Sequence, residues 1–397
     1  MSHPLIDRSE DLTRLKKEGY NISIEGANLV VRDVPYVGSD GGVHYDGILA
    51  APLTTAGDKA VPEGDHTIRF AGQGLCKANG QPYASIRPNV ARLRITENLE
   101  TQYHLSAKPP SGNYSDFHHK IQTYVGLITG QASVLDKYAT ARTKAVREPE
   151  EDEDYPFQYL DTASARAEIN MISAKLSEEK VAIIGVGGTG SYILDLVAKT
   201  PVAEIHIYDD DDFYTHNAFR SPGAASLEEL REVPSKVSFL EGIYSRMHRH
   251  ITAHEVKITG ENITLIENAT FAFVCIDAGP IKAAVIEKLE RMGIEFVDCG
   301  IGVYEKNEKL AGQVRATLST PDNRNEAREK ISFYDGDGPN EYDRNIQIAE
   351  LNSLNAVFSV IKWKKVRGFY ADLKNKPFTT FTVATNNVIN EPDDENE

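Results

Sequence analysis

Val181-Ala182-Ile183-Ile184-Gly185-Val186-Gly187-Gly188-Thr189-Gly190-Ser191 decides how the second half of this chain folds. Val181–Gly185 reads as the apolar, β-rich run of a fully buried strand. Gly185 to Gly190 fits GxGxxG, and Ser191–Lys199 follows as a helix. Strand, glycine turn and helix in that order are the context the pattern requires. The glycines permit a tight turn and close backbone approach to a phosphate. The helix N-terminus adds free N–H groups and the positive end of a dipole. A glycine turn with no ligand is the plainer reading of the pattern alone, so the residues around it must decide.

Downstream, the strand Ile205–Tyr208 ends in Asp209-Asp210-Asp211-Asp212. Asp209 lies 19 residues after Gly190, where a ribose-binding carboxylate belongs. A solvated acidic loop is the alternative, but four adjacent acids at a strand end repel one another, which favours a sugar or a metal-bound nucleotide. Helices are expected over Ser226–Arg231, Ser235–His250 and Ile281–Arg291, and strands over Phe271–Ile276 and Glu295–Asp298. Apolar strands alternating with helices predict an α/β, doubly wound, largely parallel sheet.

NAD and ATP are equally served up to this point. The segment His216-Asn217-Ala218-Phe219-Arg220, then Lys236 at a helix start, separates them. An arginine and a lysine converging on a glycine loop can neutralise a triphosphate during attack at its α-phosphorus. Asp277, at a strand's C-terminal end, can hold Mg²⁺. A dinucleotide has no pyrophosphate leaving group and needs neither feature.

With these residues in order, residues 178–318 resemble the adenylation domain of the ThiF/MoeB and ubiquitin-activating enzyme superfamily. The resemblance implies that Gly185, Gly187, Gly188, Gly190 and Asp209 hold ATP, with Asp211 nearby. It implies that Asn217, Arg220 and Lys236 contact the phosphates and that Asp277 binds Mg²⁺. The implied reaction is attack of a ubiquitin-like protein's C-terminal carboxylate on the α-phosphate, releasing pyrophosphate. A homodimer is also implied, with Arg166 of the helix-like stretch Ala163–Leu176 as a candidate to enter the partner's ATP site; a solvated helix-face arginine is the alternative. The whole chain also resembles a narrower bacterial family of ubiquitin-like operons, some linked to phage defence. That resemblance rests on the turn Gly74-Leu75-Cys76-Lys77-Ala78-Asn79-Gly80, on Asn345–Asn352 and on Lys362-Trp363-Lys364-Lys365. A ubiquitin-conjugating-like enzyme is then a possible further partner.

Two departures are conservative in charge: Ser221 follows Arg220, and Ala278 follows Asp277. A larger one is that no cysteine follows Cys299, so neither the superfamily's structural zinc nor its usual thioester cysteine is expected. Three cysteines remain. Cys275 sits in an apolar strand as core. Cys299, at a strand end, is a candidate acyl acceptor. Cys76, expected to be exposed beside Lys77, is a candidate relay. His118, His119, His248 and His250 lack a metal-ligand spacing and are expected at the surface.

The 397 residues suggest two or three domains, and 41% hydrophobic with 26% charged residues excludes wholesale disorder. Residues 148–154 hold six acids and 391–397 hold five, so an acidic linker and an acidic tail are expected. The domains are then 1–147, a smaller α+β domain of unknown role, and 155–390, the adenylation domain. In the first, a helix is expected at Asp11–Lys17 and another at His118–Leu135. Strands are expected at Asn28–Arg32, Val34–Val37, Gly47–Ala51 and His66–Phe70, with an extended stretch Arg92–Leu105. Helix before strands is the order of a ubiquitin-conjugating fold, without its His-Pro-Asn element. Thr320–Asp343 reads as a long loop over a bound protein tail. A formal net charge of −16 disfavours nucleic acid, and no run of 18 apolar residues offers a membrane span. A cytoplasmic protein is expected. Two other classes remain open: an NAD-dependent oxidoreductase, and a non-enzymatic nucleotide-binding scaffold.

Overall fold

Two sheets organise the chain in a computed structural model that describes residues 4–61, 64–86, 88–145, 154–333 and 346–390. The acidic run 148–154, save Asp154, and the tail 391–397 lie outside the described residues. The chain forms two compact units: Met1–Glu153 with Tyr159–Ser173, and Asp154–Gln158 with Ala174–Glu397. Residues 159–173 thus belong with the first unit, beyond the boundary that the acidic run suggests.

In the first unit, helices α1 (Pro4–Arg8) and α2 (Glu10–Lys17) precede strands β1 (Asn21–Glu25), β2 (Asn28–Val37) and β3 (Val43–Pro52). A two-stranded ribbon follows, β4 (Thr55–Ala56) with β5 (Lys59–Ala60), then β6 (Thr67–Ala71), β7 (Asn89–Thr96) and β8 (Leu99–Ser106). Helix α3 (Phe117–Leu135) comes next, and α4 (Thr162–Arg166) and α5 (Asn170–Ser173) complete the unit. The six-stranded sheet is antiparallel throughout, in the order β1-β2-β3-β6-β8-β7. Gly26 and Ala27, both at positive φ, close the β1–β2 turn with the twist a hairpin needs. Helix α3 is capped by the Asp116 side chain and buries Ile121, Tyr124, Val125 and Ile128 in this unit's core.

The expected helix Ala163–Leu176 is broken. Glu168 sits at φ +57° between α4 and α5, and Arg69 Nε donates to its carboxylate at 3.0 Å. Asn170 Nδ2 donates to Gly26 O at 2.8 Å. Long-range polar contacts therefore override local helix propensity here. His118 is also buried, with Nε2 2.9 Å from Glu18 Oε1, so it is not the surface residue that its polarity suggests.

The second unit runs β9 (Lys180–Ile184), α6 (Gly188–Val197), β10 (Glu204–Tyr208), α7 (Thr215–Ala218), α8 (Leu227–Glu232), α9 (Lys236–Tyr244), β11 (Ile251–His254) and β12 (Phe271–Val274). It continues with α10 (Pro280–Met292), β13 (Glu295–Lys306), β14 (Lys309–Ser319), α11 (Arg324–Lys330), α12 (Ala349–Val366), β15 (Phe378–Thr382) and β16 (Asn387–Ile389). The strand order is β11-β10-β9-β12-β13-β14-β15-β16. The first five strands are parallel and the last three antiparallel. This is the largely parallel, doubly wound α/β architecture that the glycine stretch predicts. Val181 and Ile183 pack towards α6, α9 and α12, while Ala182 and Ile184 pack with α10 on the opposite face. Trp363 of α12 is fully buried, and its Nε1 donates to Glu179 Oε2 at 3.2 Å.

Several boundaries differ from expectation. Helix α6 begins at Gly188 rather than Ser191, because the glycine loop itself makes the first turn. Helix α9 ends at Tyr244, well short of His250. The strand expected at Glu295–Asp298 extends to Lys306, where Asn307 and Glu308, both left-handed, turn it back into β14. The segment expected as a loop from Thr320 contains α11, and its residues 334–343 lie outside the described residues. His248 is fully buried: its Nε2–H donates to Val202 O at 3.1 Å and its Nδ1 accepts from His250 N–H at 3.2 Å.

Candidate functional site

The glycine turn leaves β9 with Gly185 at φ +86°, a conformation that disfavours any side chain. A Cβ there would also come within 2.8 Å of Cys275 O. Gly190, one turn into α6, passes so close to Gly185 O that a Cβ would overlap it. Gly188 is closed off in the same way by the amide of Asn352. Gly187 alone of the four faces open space, with no atom of the described residues within 4 Å of a hypothetical Cβ. Three glycines therefore shape the turn, and the fourth leaves its outer face free for a ligand at the N-terminus of α6.

Asp209 ends β10 and reaches back to this turn. Val186 N–H donates to its Oδ2 at 2.9 Å, and Asp211 N–H donates to its Oδ1 at 3.0 Å. Lys236 opens α9, whose N-cap is Ser235, and is 6% exposed. Its Nζ lies 3.3 Å from Asp209 Oδ1 and 2.5 Å from Asp211 Oδ2. The hydrogen bond from Lys236, followed by the charges of Lys236, Lys257 and Arg220, holds the Asp211 carboxyl below its usual range. A cation at a helix N-terminus opposes the helix dipole, so Lys236 stands where local electrostatics disfavour it. The two aspartates offset that cost.

Asn217 and Arg220 follow in α7 and its exit. Asn217 is buried, and its Oδ1 accepts from Tyr214 N–H at 2.9 Å, so its side chain caps its own helix in this structure. Arg220 N–H donates to Asn217 O at 3.0 Å, and its Nε is buried with no hydrogen-bond partner among the described residues. Asp277 is exposed between β12 and the start of α10. Among the described residues, one trio of potential metal-ligating side chains has its ligand atoms within 4.8 Å of one another, namely Asp209, Asp210 and Asp211. Lys236 already binds two of them.

The cysteines are less available than expected. Cys76 is 8% exposed, packs with Val37 and Ala132, and is pinned by its N–H to Val37 O at 2.9 Å. Its turn folds back onto the β2 end, which buries the thiol. Cys299 is likewise 8% exposed, with Sγ 3.2 Å from Ser359 Oγ. Burial and a hydrogen bond to Cys299 push the Cys275 thiol well above its ordinary value. Arg166 belongs to the first unit, where it lines a cleft of about 260 Å³ with Asp65, Arg69, His104 and Glu168.

Two groups at the carboxyl edge of the second sheet escape the sequence reading. Asp298, fully buried, pairs with Lys282 of α10 at 2.5 Å and with Arg315 of β14 at 3.5 Å. Asn352, Asn355 and Ser359 form a fully buried polar stripe on α12. Their i, i+3, i+7 spacing is the one available signal, since polar residues rarely line a helix's buried face.

The ThiF family model matches residues 163–362, and a domain of unknown function, DUF6791, matches residues 10–162. No curated protein sequence matches the chain. Among solved structures, E. coli MccB bound to MccA-N7isoASN is 16% identical, covering 57% of this chain and 70% of that one with a TM-score of 0.44. E. coli MccB with ATP is 16% identical over 56% and 66%, with a TM-score of 0.42. PaaA is 16% identical over 68% and 91%, with a TM-score of 0.45. Among the described residues, no helix is long and apolar enough to cross a membrane. The match to residues 163–362 takes in about half of the chain, including the glycine turn, Asp209, Lys236 and the polar stripe of α12, and by it the chain belongs to the ThiF family.

Proposed function

We propose that this protein adenylates the C-terminal carboxylate of a ubiquitin-like protein, as the activating step of a bacterial conjugation pathway. One observation carries the reading: Lys236, buried at a helix start that disfavours it, is held by Asp209 and Asp211 beside a glycine turn with a free face. Bound ATP would supply an electrophilic α-phosphorus and a pyrophosphate leaving group. Gly187 leaves room for the phosphates, and the N–H groups at the start of α6 bind them. Asp209 orients the ribose while its other contacts keep the turn closed. Arg220 and Lys236 neutralise charge on the β- and γ-phosphates as the carboxylate oxygen bonds to the α-phosphorus and the α–β bridging oxygen departs. Asp277 is exposed and acidic at the strand ends, which suits it to hold Mg²⁺.

Burial of Cys76 and Cys299 favours the acyl-adenylate itself as the species passed on, to an external nucleophile such as a ubiquitin-conjugating-like enzyme. A homodimer is part of the reading, with Arg166 of one copy offered to the other's nucleotide. The test uses full-length protein, MgATP and a ubiquitin-like protein ending in glycine. Pyrophosphate exchange into ATP and an acyl-adenylate detected by mass are expected, and Lys236→Ala and Asp277→Ala should each abolish the exchange. ATP binding without exchange for any glycine-terminated carrier would leave a scaffold instead.

A further inference from the structure

Asn352 lies 162 residues after Gly190 in sequence, yet it touches the glycine turn. It is fully buried in α12, where burying an amide is costly unless both its ends are paired. Its Oδ1 accepts from Thr189 Oγ1 at 3.3 Å, in the first turn of α6. Its Nδ2 donates to Arg220 O at 3.2 Å. One amide therefore joins the phosphate-facing helix start to the loop that carries the arginine.

The same amide closes the space that a Cβ at Gly188 would need. The second glycine of the Gly187-Gly188 pair is therefore explained by α12 and not by a ligand. Below it, Asn355 Nδ2 donates to Gly300 O at 3.1 Å, and Ser359 Oγ sits 3.2 Å from Cys299 Sγ. The stripe thus ties α12 to the first turn of α6, to the Arg220 loop and to β13.

We propose that Asn352 is a positioning residue: it fixes the Arg220 main chain against the first turn of α6, so that the guanidinium is presented to the outer phosphates of a bound nucleoside triphosphate. This rests on the nucleotide-binding reading above. The Arg220 carbonyl has no freedom to swing while Asn352 Nδ2 holds it, and the Arg220 N–H is held by Asn217 O at 3.0 Å. Loss of the amide frees one of these two anchors. The consequence falls on the outer phosphates, which AMP lacks.

The experiment measures binding of MgATP and of AMP to the full chain by calorimetry. Asn352→Ala should weaken ATP about tenfold, as loss of one charge-assisted phosphate contact would, with AMP within about twofold. Arg220→Ala should do the same, and the double variant should be no worse than either single one. Thr189→Val, which keeps shape but removes one hydrogen bond, should give a smaller loss in the same direction and serves if Asn352→Ala does not fold. Gly188→Ala on its own should weaken ATP by the same about tenfold, and should add nothing in the Asn352→Ala background. Positioning by Asn352 is overturned if Asn352→Ala or Thr189→Val leaves the ATP-to-AMP affinity ratio at its wild-type value while Arg220→Ala lowers it. Wild-type protein that binds neither nucleotide overturns the nucleotide reading itself, and this inference with it.

Discussion

Replacing Lys236 by methionine removes one cation from between two carboxylates and keeps most of the side chain's volume. At an effective dielectric near 20, its contacts at 3.3 and 2.5 Å are worth about 5 and about 7 kcal/mol before any desolvation. Dehydrating the lysine and Asp209 offsets most of that gain. Asp211 is 68% exposed, so its contact nets under about 1 kcal/mol. Removing one partner of a buried pair costs about 3–5 kcal/mol. Asp209 keeps two backbone N–H donors, so the expected loss of folding stability is about 2 kcal/mol, within the range for a hydrogen-bonded charge. Relief of the cation at the helix start returns a fraction of this. Nucleotide affinity is a separate quantity, expected to fall about 10- to 100-fold for a lost contact to phosphate. Urea unfolding reads the first and MgATP calorimetry the second. Lys236→Met/Asp209→Asn, which discharges both partners, should regain more than half of the lost stability. A Lys236→Met protein that is less stable yet binds MgATP with wild-type affinity would refute the reasoning, because Lys236 would then be only a structural bridge.

The glycines make opposite predictions. Gly187→Ala should change stability by under about 1 kcal/mol, since its Cβ meets no atom of the described residues, yet abolish ATP binding if phosphates occupy that face. Gly190→Ala should cost about 3 kcal/mol in urea unfolding, because its Cβ meets the Gly185 carbonyl; wild-type stability would contradict that packing. Burial lowers the pKa of His248 to about 4, against about 6.5 in the unfolded chain. Its contribution is complete above pH 6.5 and is lost as pH falls towards 4, by about 3 kcal/mol. His248→Gln should flatten that part of the stability profile, and an unchanged pH slope would contradict the assignment. Cys76 and Cys299 should react with a thiol reagent far more slowly in native buffer than in urea, and rapid native labelling of Cys76 would reopen a relay role.

The parts of the site that lie within a few residues of a sequence signal were readable. The glycine turn, Asp209 at the next strand's end and Lys236 at a helix start each announce themselves through local spacing, and the structure brings them together. Asn352 does not, because its two partners lie 163 and 132 residues away and an asparagine on a helix normally faces water. The antiparallel extension beyond Asp298 was hidden for another reason. Gly300 and Gly302 weaken the strand signal, and the Asn307–Glu308 turn holds non-glycine residues at positive φ. Burial of His118, His248 and Cys76 follows from contacts between distant segments, which composition cannot report.

The alternation of short segments between the two units has a consequence for inheritance. A single cut at the acidic run would separate Arg69 from Glu168 and Gly26 from Asn170, contacts that both lie inside the first unit. The donor fragment would carry a buried arginine with no carboxylate, and the recipient would gain a segment with nothing to fold against. A gene fusion that kept these contacts would have to join near residue 173, not at the charge run. A junction placed there keeps the first unit whole but carries Asp154–Gln158, which pairs with the second unit through Phe157 and Gln158, away from its partners. Because the segments alternate, a single junction at either place parts contacts inside one unit, and exchange of a unit whole needs two.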